Sequence, residues 1–188
     1  TIEKMKLLDS LLTFIDVNLI SCLIPMILTL IVIEAFSDDK LPTKKALGLI
    51  CWIIISYVFV SSIKFIFELV INTSESVFSS RWTGPYYFAY WMMFFFSIIL
   101  PYTLLFNKLA NTYWYVLIIA LFIRIGAYLE YFVIVSSSLR RDYDPTDFNE
   151  ALWPWALDLI MNSLQGFVIA FCLLGLFILL EKRKSLVN

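Results

Sequence analysis

Histidine is missing from all 188 residues. Haem b sites, copper sites, most zinc sites and most acid–base sites rely on imidazole, so the chain is expected to work without them. Cysteine is nearly as scarce. Cys22, Cys51 and Cys172 stand singly in apolar runs, with no CxxC pair, no CxxCH and no four-cysteine cluster spacing. They read as small hydrophobes inside helices, and neither an iron–sulfur cluster nor haem c is expected on this chain. Charge is thin as well: Asp, Glu, Lys and Arg make up 15% of the residues and sum to a formal net charge of −1. That leaves no basic excess to neutralise phosphates, which argues against a nucleic-acid partner.

What fills the chain is apolar, at 61% of residues, where a soluble domain is about half apolar and about a quarter charged. The apolar residues gather into five runs, 10–36, 46–71, 85–106, 113–139 and 153–180. Each is long enough for a tilted helix of about 20 residues or more. Strands of a membrane barrel would be about 10 residues long with strict alternation, and these runs have neither property. The expected fold is therefore an all-α integral membrane protein, a single bundle of about five transmembrane helices lying in the lipid bilayer. The first run does not read as a cleavable signal. It is too long, carries Asp16 and Glu34 near its ends and has no small-residue cleavage pattern behind it.

Five spans put the termini on opposite sides. Lys4, Lys6, Arg81, Arg140 and Arg141 fall on the side of the N-terminus. Lys40, Lys44, Lys45, Lys108, Lys182, Arg183 and Lys184 fall on the other. The excess of the second group places the C-terminus in the cytoplasm. Trp82, Trp91, Trp114, Trp153 and Trp155 sit near span ends, as an aromatic belt would.

Ionisable groups inside spans are functional candidates, because each costs at least about 2.5 kcal/mol near the bilayer centre. On the second run Tyr57, Ser61, Lys64 and Glu68 share one face, with Lys64 and Glu68 spaced as a self-neutralising pair. The fourth run carries Arg124 near its middle and then Glu130. The fifth carries Asp158, Asn162 and Gln165 as a polar stripe. The alternating directions of the spans put Asp16, Lys64, Glu68, Glu130, Asp158 and Asn162 in the outer half of the bilayer. Arg124 falls beneath them, so inward-turned faces would form a polar funnel closed by a guanidinium. Snorkelling, wet span ends and plain interhelical pairing explain the same residues without any transport role.

Three segments carry a family resemblance. One is Thr83-Gly84-Pro85-Tyr86 opening a span that ends near Pro101. The second runs from Ile125-Gly126-Ala127-Tyr128-Leu129-Glu130 to Tyr131-Phe132-Val133-Ile134. The third is Ser138-Leu139-Arg140-Arg141-Asp142-Tyr143-Asp144-Pro145. Over residues 83–147 the chain resembles the NrfD, or polysulfide-reductase membrane-subunit, family, and most closely the NrfD-like subunits of alternative complex III. Arg140 stands where the family has histidine, Tyr131 where it has arginine and Asp144 where it has leucine. The family has two helical bundles, and this chain resembles the second.

The resemblance implies a multi-pass subunit of the bacterial inner (cytoplasmic) membrane, in a respiratory complex that oxidises quinol and passes electrons to an acceptor. Haem and iron–sulfur clusters would belong to partner cytochrome and iron–sulfur subunits, beside other membrane subunits. This chain would bind no redox cofactor and would meet quinol or quinone only through the complex. Its own share would be anchorage with a proton path, for which Glu130 is the first candidate because it matches the family glutamate. Glu68, Lys64, Arg124, Asp158, Asn162 and Gln165 follow. Arg141, Asp142 and Pro145 match the loop motif and would pin that loop.

Two other classes compete. A purely structural anchor would use the same charges only to hold helices together. A small transporter is less favoured: no inverted repeat is visible, and only Pro25, Pro101 and Gly126 interrupt a span. A quinone headgroup lodged between the aromatic third run, with Tyr86, Tyr87, Tyr90 and Trp91, and the fifth run is weighed against an aromatic packing or lipid-facing surface, which is favoured.

Overall fold

Proline decides where the apolar runs stay regular. The computed structural model describes residues 2–37, 41–71, 87–126, 128–129 and 145–187, and every element among them is helical. They form five rods. The first comprises α1 (Ile2–Ile15), a π-helical turn (Asp16–Ile20) and α2 (Leu23–Ser37). The second is α3 (Thr43–Ile71). The third comprises α4 (Tyr87–Phe94), a second π-helical turn (Phe95–Ile99) and a 3₁₀ segment (Leu100–Leu105). After the short α5 (Asn107–Ala110), the fourth is α6 (Tyr113–Ile123), followed by helical residues at 125–126 and 128–129. The fifth is α7 (Pro145–Val187).

The first and third rods depart from the uninterrupted helices that their hydropathy predicts, and each departure has a proline downstream. Pro25 cannot donate to the carbonyl of residue 21, and its ring crowds that carbonyl. The backbone widens one turn earlier: the Ser21 N–H donates to the Asp16 carbonyl at 3.0 Å, five residues back, and the Ser21 hydroxyl donates to the same oxygen at 2.8 Å. Pro101 likewise follows the turn at Phe95–Ile99, and the helix tightens to 3₁₀ around it. α3 has no proline between its ends and runs straight through 29 residues. Among the described residues, three stretches are long and apolar enough to cross a membrane: Asp9–Ser37, Thr43–Phe67 and Leu157–Lys184. Tyr90–Leu105 and Tyr113–Ile123 are shorter apolar helices.

Polar contacts at the two ends fix the directions of the rods. At one end the Lys64 ammonium stands 2.7 Å from an Asp9 carboxylate oxygen, joining the start of the first rod to the end of the second. At the other end Thr43 donates to Glu34, Tyr113 donates to Thr43 at 2.9 Å, and Lys45 pairs with Glu181. The starts of α3 and α6 therefore share an end with the finishes of α2 and α7. Between the ends, Leu23, Met26, Ile27 and Leu30 pack against Leu47, Ile50 and Ile54, Val116 and Ile119, and Ala170 and Leu174, all buried.

α7 meets the first rod in tight contact at Gly166. A Cβ there would lie 2.6 Å from Pro25 Cγ and 2.9 Å from the Cys22 carbonyl, so no larger residue fits without parting the helices. The outward faces are apolar too: Phe36, Trp52, Trp114 and Leu179 are each more than 60% exposed. Such surface suits lipid or another apolar chain rather than water.

Candidate functional site

The π-helical turn turns Asp16 and Ser21 toward the bundle interior. Tyr57, near the middle of α3, donates its phenol to Asp16 Oδ1 at 3.1 Å. Arg124 reaches the same turn from the fourth rod. Its Nη1 lies 3.6 Å from Asp16 Oδ2 and donates to the Ser21 hydroxyl. α6 ends at this arginine, whose backbone leaves helical geometry at φ −99° and ψ 11°. Helical bonding resumes when the Tyr128 N–H donates to the Arg124 carbonyl at 3.1 Å. One carboxylate, one guanidinium, one phenol and one hydroxyl from three rods thus form a single cluster. A guanidinium carries five N–H groups in a fixed fork, and the described contacts of Arg124 both use Nη1.

The fifth rod closes one side. Gln165 Nε2 donates to the Asn18 carbonyl at 3.0 Å, and Asn162 Oδ1 lies 4.0 Å from the Cys22 thiol. A cleft of about 520 Å³ lies between the first, fourth and fifth rods. Ser21, Arg124, Tyr128, Asp158 and Asn162 line its polar part, and Ile24, Pro25, Leu28, Leu159 and Phe167 its apolar part. Asp158 is the carboxylate in its lining, and Arg124 carries the guanidinium from the cleft to Asp16.

The polar stripe on the fifth run is present as a unit. Asp158 and Asn162 face the cleft and Gln165 ties the stripe to the first rod. Arg124 lies at the centre of the site. Its guanidinium is bound to both Asp16 and Ser21 of the first rod. Lys64 pairs with Asp9, two helical turns from Asp16 toward the end of the bundle. Glu130, Arg141 and Asp142 lie outside the described residues. Glu68 falls in the last turn of α3 and Pro145 is the first residue of α7, their side chains likewise undescribed.

Tyr57 enters the site from the face it shares with Lys64, and Ser21 and Asn18 join it although no sequence pattern marks them. The shared face of Tyr57 and Lys64 on α3 was the available signal, since both side chains turn to the first rod. For Ser21 and Asn18 there was none, because their positions depend on the widened turn. Among the described residues, no group of three His, Cys, Asp or Glu could hold a metal ion.

A second polar cluster lies at the far end. Thr43, fully buried, accepts from Tyr113 and donates to Glu34, and Lys44 Nζ stands 3.7 Å from the same glutamate. No family model, no curated protein and no solved structure matches this chain.

Proposed function

We propose that this chain is a five-span, membrane-integral subunit of a respiratory quinol-oxidising complex of the alternative complex III type. In this reading it anchors the complex in the bacterial cytoplasmic membrane, with its C-terminus in the cytoplasm, and carries a proton path but no redox centre. Electrons would pass through partner iron–sulfur and cytochrome subunits, and quinol would be met in the complex. The resemblance over residues 83–147 and the absence of histidine support the placement. The observation that carries the proton path is the Asp16–Arg124–Tyr57 cluster beside a partly polar cleft, a costly arrangement inside apolar helices.

Purification from native membranes by a tag on this chain tests the placement: haem- and iron–sulfur-bearing subunits should come with it, and a lone monodisperse chain would reject the reading. In the purified complex, Asp16→Asn and Glu130→Gln should uncouple proton release from quinol turnover.

A purely structural anchor is the second reading, favoured by the bonding of Arg124 to both Asp16 and Ser21. On that reading, charge-neutralising substitutions lower the amount of assembled complex and leave turnover and proton release per complex unchanged.

A further inference from the structure

The two polar clusters stand on the same helix. Asp16 and Glu34 are separated by 18 residues, about 27 Å of α-helical rise. Between their levels lies a layer to which all five rods contribute. Leu23, Met26, Ile27 and Leu30 come from the first rod, Leu47, Ile50, Cys51 and Ile54 from the second, and Leu104 from the third. Val116, Ile119 and Ala120 come from the fourth, and Ala170 and Leu174 from the fifth, all buried. The one buried hydroxyl described inside the layer, Thr29, is committed to the Pro25 carbonyl of its own helix at 2.7 Å. The polar groups in or beside the layer are committed to one another: Tyr102 to Ser62 at 3.2 Å, Thr103 to Tyr115 at 2.6 Å, and the Cys51 thiol to the Ala110 carbonyl at 3.6 Å. A packed interior whose few polar groups are already paired offers water little and stays dry.

We infer that this layer is a water- and proton-tight seal, and that the cleft of Ser21, Arg124, Asp158 and Asn162 is an aqueous vestibule open only to the face marked by Asp9 and Lys64. Any proton exchanged at Asp16 or Asp158 then comes from, and returns to, that face. The Glu34–Thr43–Tyr113 cluster belongs to the opposite face and shares no proton with the vestibule through this chain. Transfer across the whole membrane therefore needs a second route outside this bundle, or a movement that breaks the layer. The inference deepens the proton-path reading above and rests on it for its function, but its geometry stands independently.

Sided thiol labelling of the full-length protein in its native membranes tests it. Cys51, 2% exposed, is a natural reporter inside the seal. In a Cys22→Ala, Cys172→Ser background, Ser163→Cys reports on the vestibule, which Ser163 lines. Lys182→Cys, beside Glu181, marks the opposite face. A membrane-impermeant thiosulfonate is applied to right-side-out and to inverted vesicles. Ser163→Cys should react only from the face opposite to that labelling Lys182→Cys, and Cys51 should stay unmodified from both.

Labelling of Cys51, reaction of Ser163→Cys from the Lys182→Cys face, or no reaction of Ser163→Cys from either face would overturn the inference. Cys51 can be followed in the unsubstituted protein, so the seal is tested even if a variant fails to accumulate. Quinol turnover does not enter the readout. A chain that assembles with no redox partner yet labels on one face only would sink the proposed function and leave the seal standing.

Discussion

Tyr57 and Asp16 are 41 residues apart in the chain and their phenol and carboxylate meet at 3.1 Å. Seven residues further along each helix, about 10 Å by helical rise, Lys64 meets Asp9 at 2.7 Å. The two contacts report one antiparallel register, so the inner one should tolerate loss of its donor. Tyr57→Phe removes the hydrogen bond to a charged acceptor, together with the weaker one to Ser61, and should lower stability by about 1.5–3 kcal/mol. The register survives because Lys64–Asp9 and the apolar packing remain. Thermal unfolding in detergent, with a disulfide-trapping pair at the helix ends to report register, would check both halves of that statement.

Arg124 depends on Asp16 for its counter-charge. Removing one partner of a buried pair costs about 3–5 kcal/mol, and an exposed pair contributes only about 0–1. This pair lies between those limits, with side chains 21% and 39% exposed. Asp16→Ala should therefore destabilise the protein by roughly 1–3 kcal/mol, as expected for an uncompensated group only partly out of water. Arg124→Gln in the same background should recover part of that loss. A double-mutant cycle measures the coupling, and strictly additive losses would show that the two charges do not interact.

Gly166 is required by contact rather than by backbone conformation. Its absent Cβ would meet Pro25 and the Cys22 carbonyl, whereas a Cβ at Gly48 or Gly175 meets nothing within 4 Å. Gly166→Ala is expected to lower stability by about 1–3 kcal/mol through overpacking. Gly48→Ala and Gly175→Ala should be neutral, or stabilising by about 0.5–1 kcal/mol from helix propensity. Unfolding midpoints of the three variants, measured side by side, separate the contact from the propensity.

The all-helical character was legible in the sequence because long apolar runs leave the backbone no partner but itself. Which residues face inward was legible where a polar stripe crossed an apolar helix, as for Asp158, Asn162 and Gln165, or Tyr57 and Lys64. What escaped was produced by proline. Pro25 widens the turn at Asp16–Ile20, and that turn aims Asp16 and Ser21 at Arg124. A strict helical projection of the first run cannot show this, since it carries one residue too few per turn at that place. The end cluster at Thr43 escaped for another reason: its partners Glu34 and Tyr113 come from different rods, and no periodicity within a single run links them.

Thr43 bridges Tyr113 and Glu34 while fully buried. Thr43→Val keeps the shape and deletes both bonds, leaving two polar groups to find other partners at a cost of about 1–3 kcal/mol. Thr43→Ser keeps the hydroxyl and should lose less. Tyr113→Phe removes one bond and should fall between them. The order of the three unfolding midpoints, Ser above Phe above Val, is the prediction, and Val matching Ser would show that the hydroxyl is idle.

Ile27 lies fully buried in the apolar layer, where volume and polarity make opposite predictions. Ile27→Ala opens a cavity and should lower stability by about 2–5 kcal/mol. An apolar cavity nevertheless stays dry, so the protein should remain proton-tight. Ile27→Asn leaves a smaller gap but brings an amide that recruits water into the layer. It should therefore increase proton leak although its cavity is smaller. Decay of an imposed pH gradient in potassium-loaded vesicles, with valinomycin to clamp the potential, distinguishes the two. Fast decay for the alanine variant would mean that packing density rather than apolarity excludes water, and equal, slow decay for both would place the barrier elsewhere in the bundle.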